Sequence, residues 1–244
     1  MQGIGRLTGA LKENKQLENT LILYLQDNGA CAENIGRNPG AGKKAGGPPP
    51  MPGPADTWIG YGEAWANVSS TPFRLYKHFV HEGGIGTPLI AHWPRGIKRK
   101  GEIEHQPGHL IDIMATAVDV AGGKYPTERD GSRVQPMEGR SLVPAFSGRA
   151  IQREALFWEH EGNRALRVGD WKLVAKGSGG PWELYNMARD RTEMNNLAST
   201  QPARVKEMVA TWERWAERTH ALPWPWKPAY GTSAPGSAGP ESKR

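Results

Sequence analysis

One short stretch constrains the fold of this chain more than any other, because an apolar run ends abruptly on polar side chains. The run is Thr20–Leu25, and after one glutamine it is followed by Asp27, Asn28 and Gly29. An apolar run without polar alternation favours a strand that is buried on both faces, as in the parallel sheet of an α/β protein. We therefore predict an α/β fold with a strand over residues 19–26.

The polar residues that follow this strand have two interpretations. Asn28-Gly29 after a strand is a common hairpin-turn signal. Alternatively, Asp27 and Asn28 lie where α/β sheets bind ligands, at the carboxyl end of a strand. Carboxylate and amide oxygens are hard ligands that suit Ca²⁺ or Mg²⁺. The residues alone leave both interpretations open.

Residues 1–150 continue as a mixture of helix, strand and loop. Apolar spacing predicts a helix over residues 2–15 and another over "HLIDIMATAVDVAG" (109–122). The segment "TPLIAHWP" (87–94) predicts a second strand. Residues 36–56 are rich in glycine and proline, which predicts a long flexible loop.

The pattern changes after residue 150. Four short strand-like segments, "EALFWEH", "RALRVG", "WKLVAK" and "WELYNM", are separated by glycine-rich turns. They predict a small antiparallel four-stranded sheet. A helix is predicted from about 202 to 219, with Val205, Met208, Trp212 and Ala216 on one face. We expect this subdomain to span residues 151–222, and residues 223–244 to form a disordered tail.

Composition excludes several classes of protein. The net charge is +6, but the basic residues are scattered and do not form the aromatic-lined stripe of a nucleic-acid groove. No run of 18 apolar residues is present, so we expect no membrane span. A single cysteine, Cys31, excludes an internal disulfide and a zinc site built from cysteines.

Lys77 is the second candidate for chemistry. It lies within "FRLYKHFVHEGGIGTPLIAHWP" (73–94), among apolar and aromatic residues, and Glu82-Gly83-Gly84 follows. A lysine at the surface usually extends its ammonium into water. The alternative is a cation held against an anionic substrate.

Taken together, these segments resemble the second half of the sulfatase family, of arylsulfatase type, within the alkaline-phosphatase-like superfamily. The resemblance includes "WANVSSTPFRLYKHFVHEGGIGTPLIAHWP", "NRALRVGDWKLV" and "WELYNMARDRTEMNNLA", and it covers about residues 1–220. It implies the C-terminal part of an alkaline-phosphatase-like sheet domain over residues 1–150. The antiparallel subdomain with its packed helix would follow that part.

The resemblance also implies roles for individual residues. Asp27 and Asn28 match a pair of calcium ligands, and Lys77 matches a lysine that contacts the sulfate group. His160, at the start of the small sheet, is a further candidate for substrate contact. The implied reaction is Ca²⁺-dependent hydrolysis of a sulfate ester, whose substrate is a small molecule or a sulfated glycan.

The nucleophile of the family has no match in this sequence. It is a formylglycine made from the first residue of Cys/Ser-x-Pro-x-Arg, and it precedes the Asp-Asn pair. Cys31 lacks this context, and Ser70-Thr71-Pro72-Phe73-Arg74 fits the pattern but follows Asp27-Asn28. We therefore expect the chain to be a C-terminal fragment that lacks the nucleophile and the remaining metal ligands, and to be inactive by itself.

Two other functions stay open at this point. One is a phosphonate or phosphodiester hydrolase of the same superfamily, and the other is a non-catalytic remnant or binding module. Residues 1–6 do not show the basic and apolar regions of a signal peptide. We expect a periplasmic or secreted location for full-length relatives, and leave the location of this chain open.

Overall fold

The computed structural model describes residues 2–33, 60 and 62–222. The predicted loop at 36–56 and the predicted tail at 223–244 lie outside these residues. The chain divides into two compact units, the first formed by Met1–Leu25 and Pro88–Glu154, the second by Gln26–Thr87 and Ala155–Arg244. The predicted boundary near residue 150 is close to the junction between Glu154 and Ala155, whereas residues 26–87 group with the C-terminal part of the chain.

The described residues form five α-helices and eight strands. The helices are α1 (Gln2–Glu13), α2 (Gly62–Ser70), α3 (Glu82–Ile85), α4 (Asp112–Val120) and α5 (Pro202–Arg218). The strands are β1 (Ile22–Leu25), β2 (Leu89–His92), β3 (Glu128–Arg129), β4 (Ser132–Arg133), β5 (Leu156–His160), β6 (Asn163–Val168), β7 (Trp171–Ala175) and β8 (Trp182–Asn186). None of the described helices has the length and apolar character that a bilayer crossing requires.

In the first unit, β1 and β2 form a two-stranded antiparallel sheet. Ile22 pairs with His92 and Leu25 pairs with Leu89. The expectation that β1 is buried on both faces is wrong for the described residues, because Tyr24 is 42% exposed and none of the strand is fully buried. Within the described part of the chain, each of these two strands pairs only with the other.

The second unit contains the predicted four-stranded antiparallel sheet. Its strands lie in chain order, β5-β6-β7-β8, with short connections. Strand alternation sends side chains to both faces of a sheet. On one face, Leu166, Leu173 and Leu184 pack against the apolar side of α5, which confirms the predicted helix. The buried residues of α5 are Met208, Trp212 and Ala216.

The opposite face of this sheet packs against the segment that precedes β2 in the chain. Val80 is buried there with Ala165, Val174 and Tyr185, and Ile85 of α3 is packed beside them. The sheet is therefore covered on both faces. Since Lys77 lies three residues before Val80, this packing fixes the segment that carries the predicted sulfate-binding lysine.

Candidate functional site

The turn after β1 is held by close backbone contact with α3. The Gly29 N–H donates a hydrogen bond to Gly84 O at 2.8 Å. A Cβ placed on Gly29 would lie 1.9 Å from Gly83 O, so this approach requires glycine. The hairpin interpretation of Asn28-Gly29 is wrong, because β1 pairs with the distant strand β2.

Asn28 is oriented within this turn. Its Nδ2 donates to the carbonyl of Gly29 at 2.9 Å, and no described residue donates to its Oδ1. Asp27 beside it is exposed. The turn therefore presents a carboxylate and an amide oxygen, both of them hard donors.

The same turn positions Lys77. The Lys77 N–H donates to Ala30 O at 3.0 Å, which joins the two segments by their backbones. The Lys77 ammonium lies 2.9 Å from Glu33 Oε1 and 4.0 Å from Cys31 Sγ. The hydrogen bond to Glu33 raises the pKa of Lys77, and the charge of Asp27 contributes in the same direction. Lys77 is thus held as a cation within electrostatic reach of Asp27.

Glu33 is the residue of this site that sequence reasoning missed. Its hydrogen bond from Lys77 lowers the pKa of its carboxyl, so Glu33 is an anion that pairs with the lysine. It also lies 3.5 Å from Nε2 of His78. Nothing in the sequence links Glu33 to Lys77, which is 44 residues away.

A buried ionic network fixes α3 beneath these residues. The Lys172 ammonium, which is fully buried, lies 3.0 Å from Glu82 Oε1 and 2.8 Å from Glu193 Oε1. The Glu82 N–H also donates to Glu193 Oε2 at 2.9 Å. Burial alone would raise the pKa of Glu82, but Lys172 and Arg191 outweigh it, and the pKa lies below its ordinary value.

A second cluster holds the chain just before Lys77. Arg74 Nη1 donates to Glu183 Oε2 and to Tyr185 Oη, both at 2.8 Å. Burial would raise the pKa of Glu183, but hydrogen bonds from His81, Tyr185 and Arg74 lower it to about 2. Arg74 and Glu82, eight residues apart, therefore tie both ends of the Lys77 segment to the four-stranded sheet and the residues after β8.

His160, the predicted substrate contact, is half exposed at the end of β5. Its ring stacks on the ring of His78, with 5.6 Å between the centroids. Both rings lie beside the carboxylate of Glu161. Since Glu33 contacts both Lys77 and His78, the structure connects His160 to the lysine through a chain of contacts.

The family of this chain follows from its match to family models. Residues 2–123, half of the chain, match the model described as Sulfatase. The chain belongs to the sulfatase family. Residues 73–214 also match the model described as N-sulphoglucosamine sulphohydrolase, C-terminal. The resemblance found in the sequence is confirmed.

Two curated relatives show how much of a sulfatase this chain represents. It is 31% identical to an uncharacterized sulfatase of Schizosaccharomyces pombe, over 86% of this chain and 40% of the relative. It is 27% identical to N-acetylgalactosamine-6-sulfatase of Sus scrofa, over 80% of this chain and 31% of the relative. The chain thus spans two fifths or less of the length of these relatives.

A solved structure supports the predicted fold. The crystal structure of Ps i-CgsB matches with a TM-score of 0.64 and 24% identity, over 94% of this chain and 42% of that chain. At this identity the match shows the fold alone. The alkaline-phosphatase-like fold class predicted from the sequence is confirmed.

The cation implied by the sulfatase family fits the turn in its chemistry. Asp27 and Asn28 offer two hard oxygen donors, whereas Ca²⁺ takes six to eight. Among the described residues, Asp27 does not belong to a group of three or more His, Cys, Asp or Glu side chains that converge on one point. The residues present would therefore form part of a calcium shell.

The segment Ser70-Thr71-Pro72-Phe73-Arg74, which fits the Cys/Ser-x-Pro-x-Arg pattern, has a structural role. Ser70 is buried at the end of α2, and its hydroxyl donates to Gly83 O at 3.2 Å. The arginine of the same pattern, Arg74, is engaged with Glu183 and Tyr185. Ser70 therefore holds the turn at Gly83, and Arg74 holds this segment against the four-stranded sheet.

Proposed function

We propose that this chain forms the C-terminal part of the catalytic site of a Ca²⁺-dependent sulfatase that hydrolyses sulfate esters. The observation that carries the proposal is the convergence of Asp27, Asn28 and Lys77, which three backbone contacts hold together. These contacts are the hydrogen bonds from Gly29 to Gly84 and from Lys77 to Ala30, and the packing of Gly29 on Gly83.

Lys77 is the proposed contact to the sulfate group. In the structure its ammonium pairs with Glu33, and both side chains are partly exposed. An arriving sulfate oxygen would take the place of that carboxylate. A preorganised cation at this position stabilises negative charge that develops on the sulfate oxygens in the transition state.

Asp27 and Asn28 are the proposed calcium ligands, and a bound cation would supply Lewis-acid polarisation of the sulfate group. The negative charge of Asp27 also reaches Lys77, whose pKa it helps to raise.

The nucleophile and the remaining metal ligands are proposed to come from a segment outside this sequence. The motif that would form formylglycine has no functional match here, and the chain covers 31–40% of its two curated relatives. The isolated chain should then show no turnover. We expect the substrate to be a sulfated glycan or another small sulfate ester, with His160 as a candidate contact to the alcohol part.

The first experiment uses the chain as it stands. Incubation with an aryl sulfate and Ca²⁺ should give no product above background. Turnover that Ser70→Ala abolishes would show that Ser70 is the nucleophile and that the fragment proposal is wrong. Preference for an aryl phosphonate ester over the sulfate would instead favour the phosphonate hydrolase alternative.

The second experiment tests Lys77 in the longer reading frame that contains this chain. Coding DNA upstream of Met1 should carry an in-frame Cys/Ser-x-Pro-x-Arg motif, and that enzyme is the one to assay. Lys77→Ala should lower kcat roughly 100-fold or more, as loss of other preorganised donors does. Lys77→Arg should not restore the rate, because guanidinium is broader than ammonium.

The matched control is Lys206→Ala, which removes an exposed lysine of α5. It should leave kcat and KM unchanged. A kcat for Lys77→Ala equal to that of the wild type would show that Lys77 does not act in the active site.

A further inference from the structure

Two histidines and a glutamate form a compact group that does not include the proposed calcium ligands Asp27 and Asn28. His78 Nδ1 lies 3.2 Å from Glu161 Oε2, and His160 Nε2 lies 3.6 Å from the same oxygen. The three side chains each place one ligand atom within 4.8 Å of the others. It is the one such group among the residues that the structure describes.

A single buried amide fixes the two histidines relative to each other. Asn163 is almost fully buried, and its Nδ2 donates to the carbonyl of His78 at 2.9 Å and to the carbonyl of His160 at 3.0 Å. Its Oδ1 accepts a hydrogen bond from the Gly177 N–H at 2.9 Å. The two imidazoles come from segments 82 residues apart in the sequence, yet their backbones share one anchor.

Two of the three residues have a left-handed backbone. His78 has a φ of 84° and Glu161 a φ of 52°. Such conformations are uncommon outside glycine, asparagine, aspartate and histidine, so Glu161 is the more unusual of the two. Glu161-Gly162 forms the two-residue connection between β5 and β6, where asparagine or aspartate followed by glycine is the usual pair. Glu161 is thus an unusual residue for this turn.

The surroundings also suit a cation. Glu33 Oε1 lies 3.5 Å from His78 Nε2, the ring nitrogen that faces away from Glu161. Histidine ligands of metals usually donate their second N–H to such a carboxylate, which fixes the ring. Glu33 also pairs with Lys77 at 2.9 Å, and this offsets the nearest positive charge.

We propose that His78, His160 and Glu161 bind a first-row transition-metal dication, with Zn²⁺ as the best fit. The ligand atoms would be His78 Nδ1, His160 Nε2 and one carboxylate oxygen. Tetrahedral zinc with N and O ligands at about 2.1 Å needs ligand atoms about 3.4 Å apart. The separations of Glu161 Oε2 from His78 Nδ1 and from His160 Nε2, 3.2 and 3.6 Å, bracket that value.

This site differs in chemistry from the oxygen pair at Asp27 and Asn28. Imidazole nitrogen selects zinc, cobalt or nickel over calcium, whereas carboxylate and amide oxygens select calcium. The two sites would therefore take different ions. Metal binding by the histidines does not depend on whether the chain hydrolyses sulfate esters.

The test titrates untagged chain, cleared of metal, with Co²⁺ in the absence of substrate. Four-coordinate binding should appear as visible absorption bands at one equivalent, and Zn²⁺ should displace them. His160→Ala and Glu161→Gln should each weaken binding at least about tenfold, since ligands matter no less than their outer partners. His160 and Glu161 are partly exposed, so both variants are expected to fold.

Two control variants define specificity. His105→Ala removes an exposed histidine of the first unit and should leave the titration unchanged. Asp27→Ala should also leave it unchanged. Absence of Co²⁺ and Zn²⁺ binding, or equal binding by His160→Ala, would overturn the proposal. It would leave the His78–Glu161–His160 group as a substrate contact without metal.

Discussion

Replacing Lys172 by methionine should destabilise the second unit strongly. Lys172 is fully buried on β7, and its ammonium is shared between Glu82 and Glu193, at 3.0 and 2.8 Å. Methionine has a similar length, so the change removes the charge while creating little cavity. The side chains of the two glutamates are only 6% and 0% exposed and would face each other, with Arg191 paired to Glu82 alone among the described ion pairs.

The magnitude follows from that burial. Removing one partner of a buried ionic group costs roughly 3–5 kcal/mol, because the remaining charge has neither water nor counter-ion. For a chain of this length, each kcal/mol lowers Tm by roughly 2–4 °C, so the expected fall is about 6–20 °C. This cost is a large part of the roughly 5–15 kcal/mol that stabilises a typical domain.

Denaturant unfolding followed by tryptophan fluorescence is the assay, since the sheet and α5 contain several tryptophans. Lys206→Met makes the same chemical change on the exposed side of α5 and should alter the free energy of unfolding by less than about 0.5 kcal/mol. Adding Glu193→Gln to Lys172→Met should recover part of the loss by removing one uncompensated charge. A Lys172→Met protein within about 1 kcal/mol of the wild type would refute the reasoning.

Three further outcomes are expected. Gly29→Ala should destabilise the turn by about 1–3 kcal/mol in the same assay, because the new methyl would lie 1.9 Å from Gly83 O, whereas Gly179→Ala, which meets nothing within 4 Å, should be neutral. Glu183 has a folded-state pKa lowered from 4.5 to about 2, so it stabilises the protein above pH 4.5 and that stabilisation is lost as pH falls towards 2. Glu183→Gln should flatten acid unfolding over this window, and a profile equal to the wild type would contradict the assignment. Trp212→Ala, at a side chain 1% exposed, should cost about 3–5 kcal/mol, measured by thermal unfolding.

Elements with a regular apolar pattern were predictable from the sequence. The face of α5 that carries Met208, Trp212 and Ala216 is the buried one, and the four short strands pair in chain order. These features depend on the spacing of neighbouring side chains, which a sequence displays directly. The burial of β1 was not predictable in the same way, because it depends on which strands and helices lie beside it.

The sequence did not predict helix α3 or the burial of Lys172, because both depend on contacts with distant residues. Two of the four residues of α3 are glycines, which have low helix propensity, and the turn is held by contacts of Glu82 with Lys172 and Glu193. Alternation along β7 places Lys172 on the same face as Val174, where a lysine is not expected. The carboxylates that make this placement possible are 90 residues before Lys172 and 21 residues after it, so no local pattern reveals them.

The candidate site also contains residues that the sequence indicated and contacts that it did not. The residue types at Asp27, Asn28 and Lys77 suggested metal and anion chemistry, and the family resemblance supplied their roles, which stay proposals. The pairing of Lys77 with Glu33 and the grouping of His78 with Glu161 join segments 44 and 83 residues apart. Only the fold brings these groups within contact distance.

The network beneath α3 also sets an order of events during synthesis. Glu82 meets Glu193 across 111 residues, so the ribosome adds that length of chain before the contact exists. At 5–20 residues per second, this interval is roughly 6–22 s. Until β6, β7 and β8 have been added within this interval, the segment with Phe79 and Val80 lacks the strands that cover Val80 in the folded protein. The segment that carries Lys77 therefore stays an uncovered apolar stretch of the nascent chain until those strands are made, and Glu82 gains its Glu193 contact last.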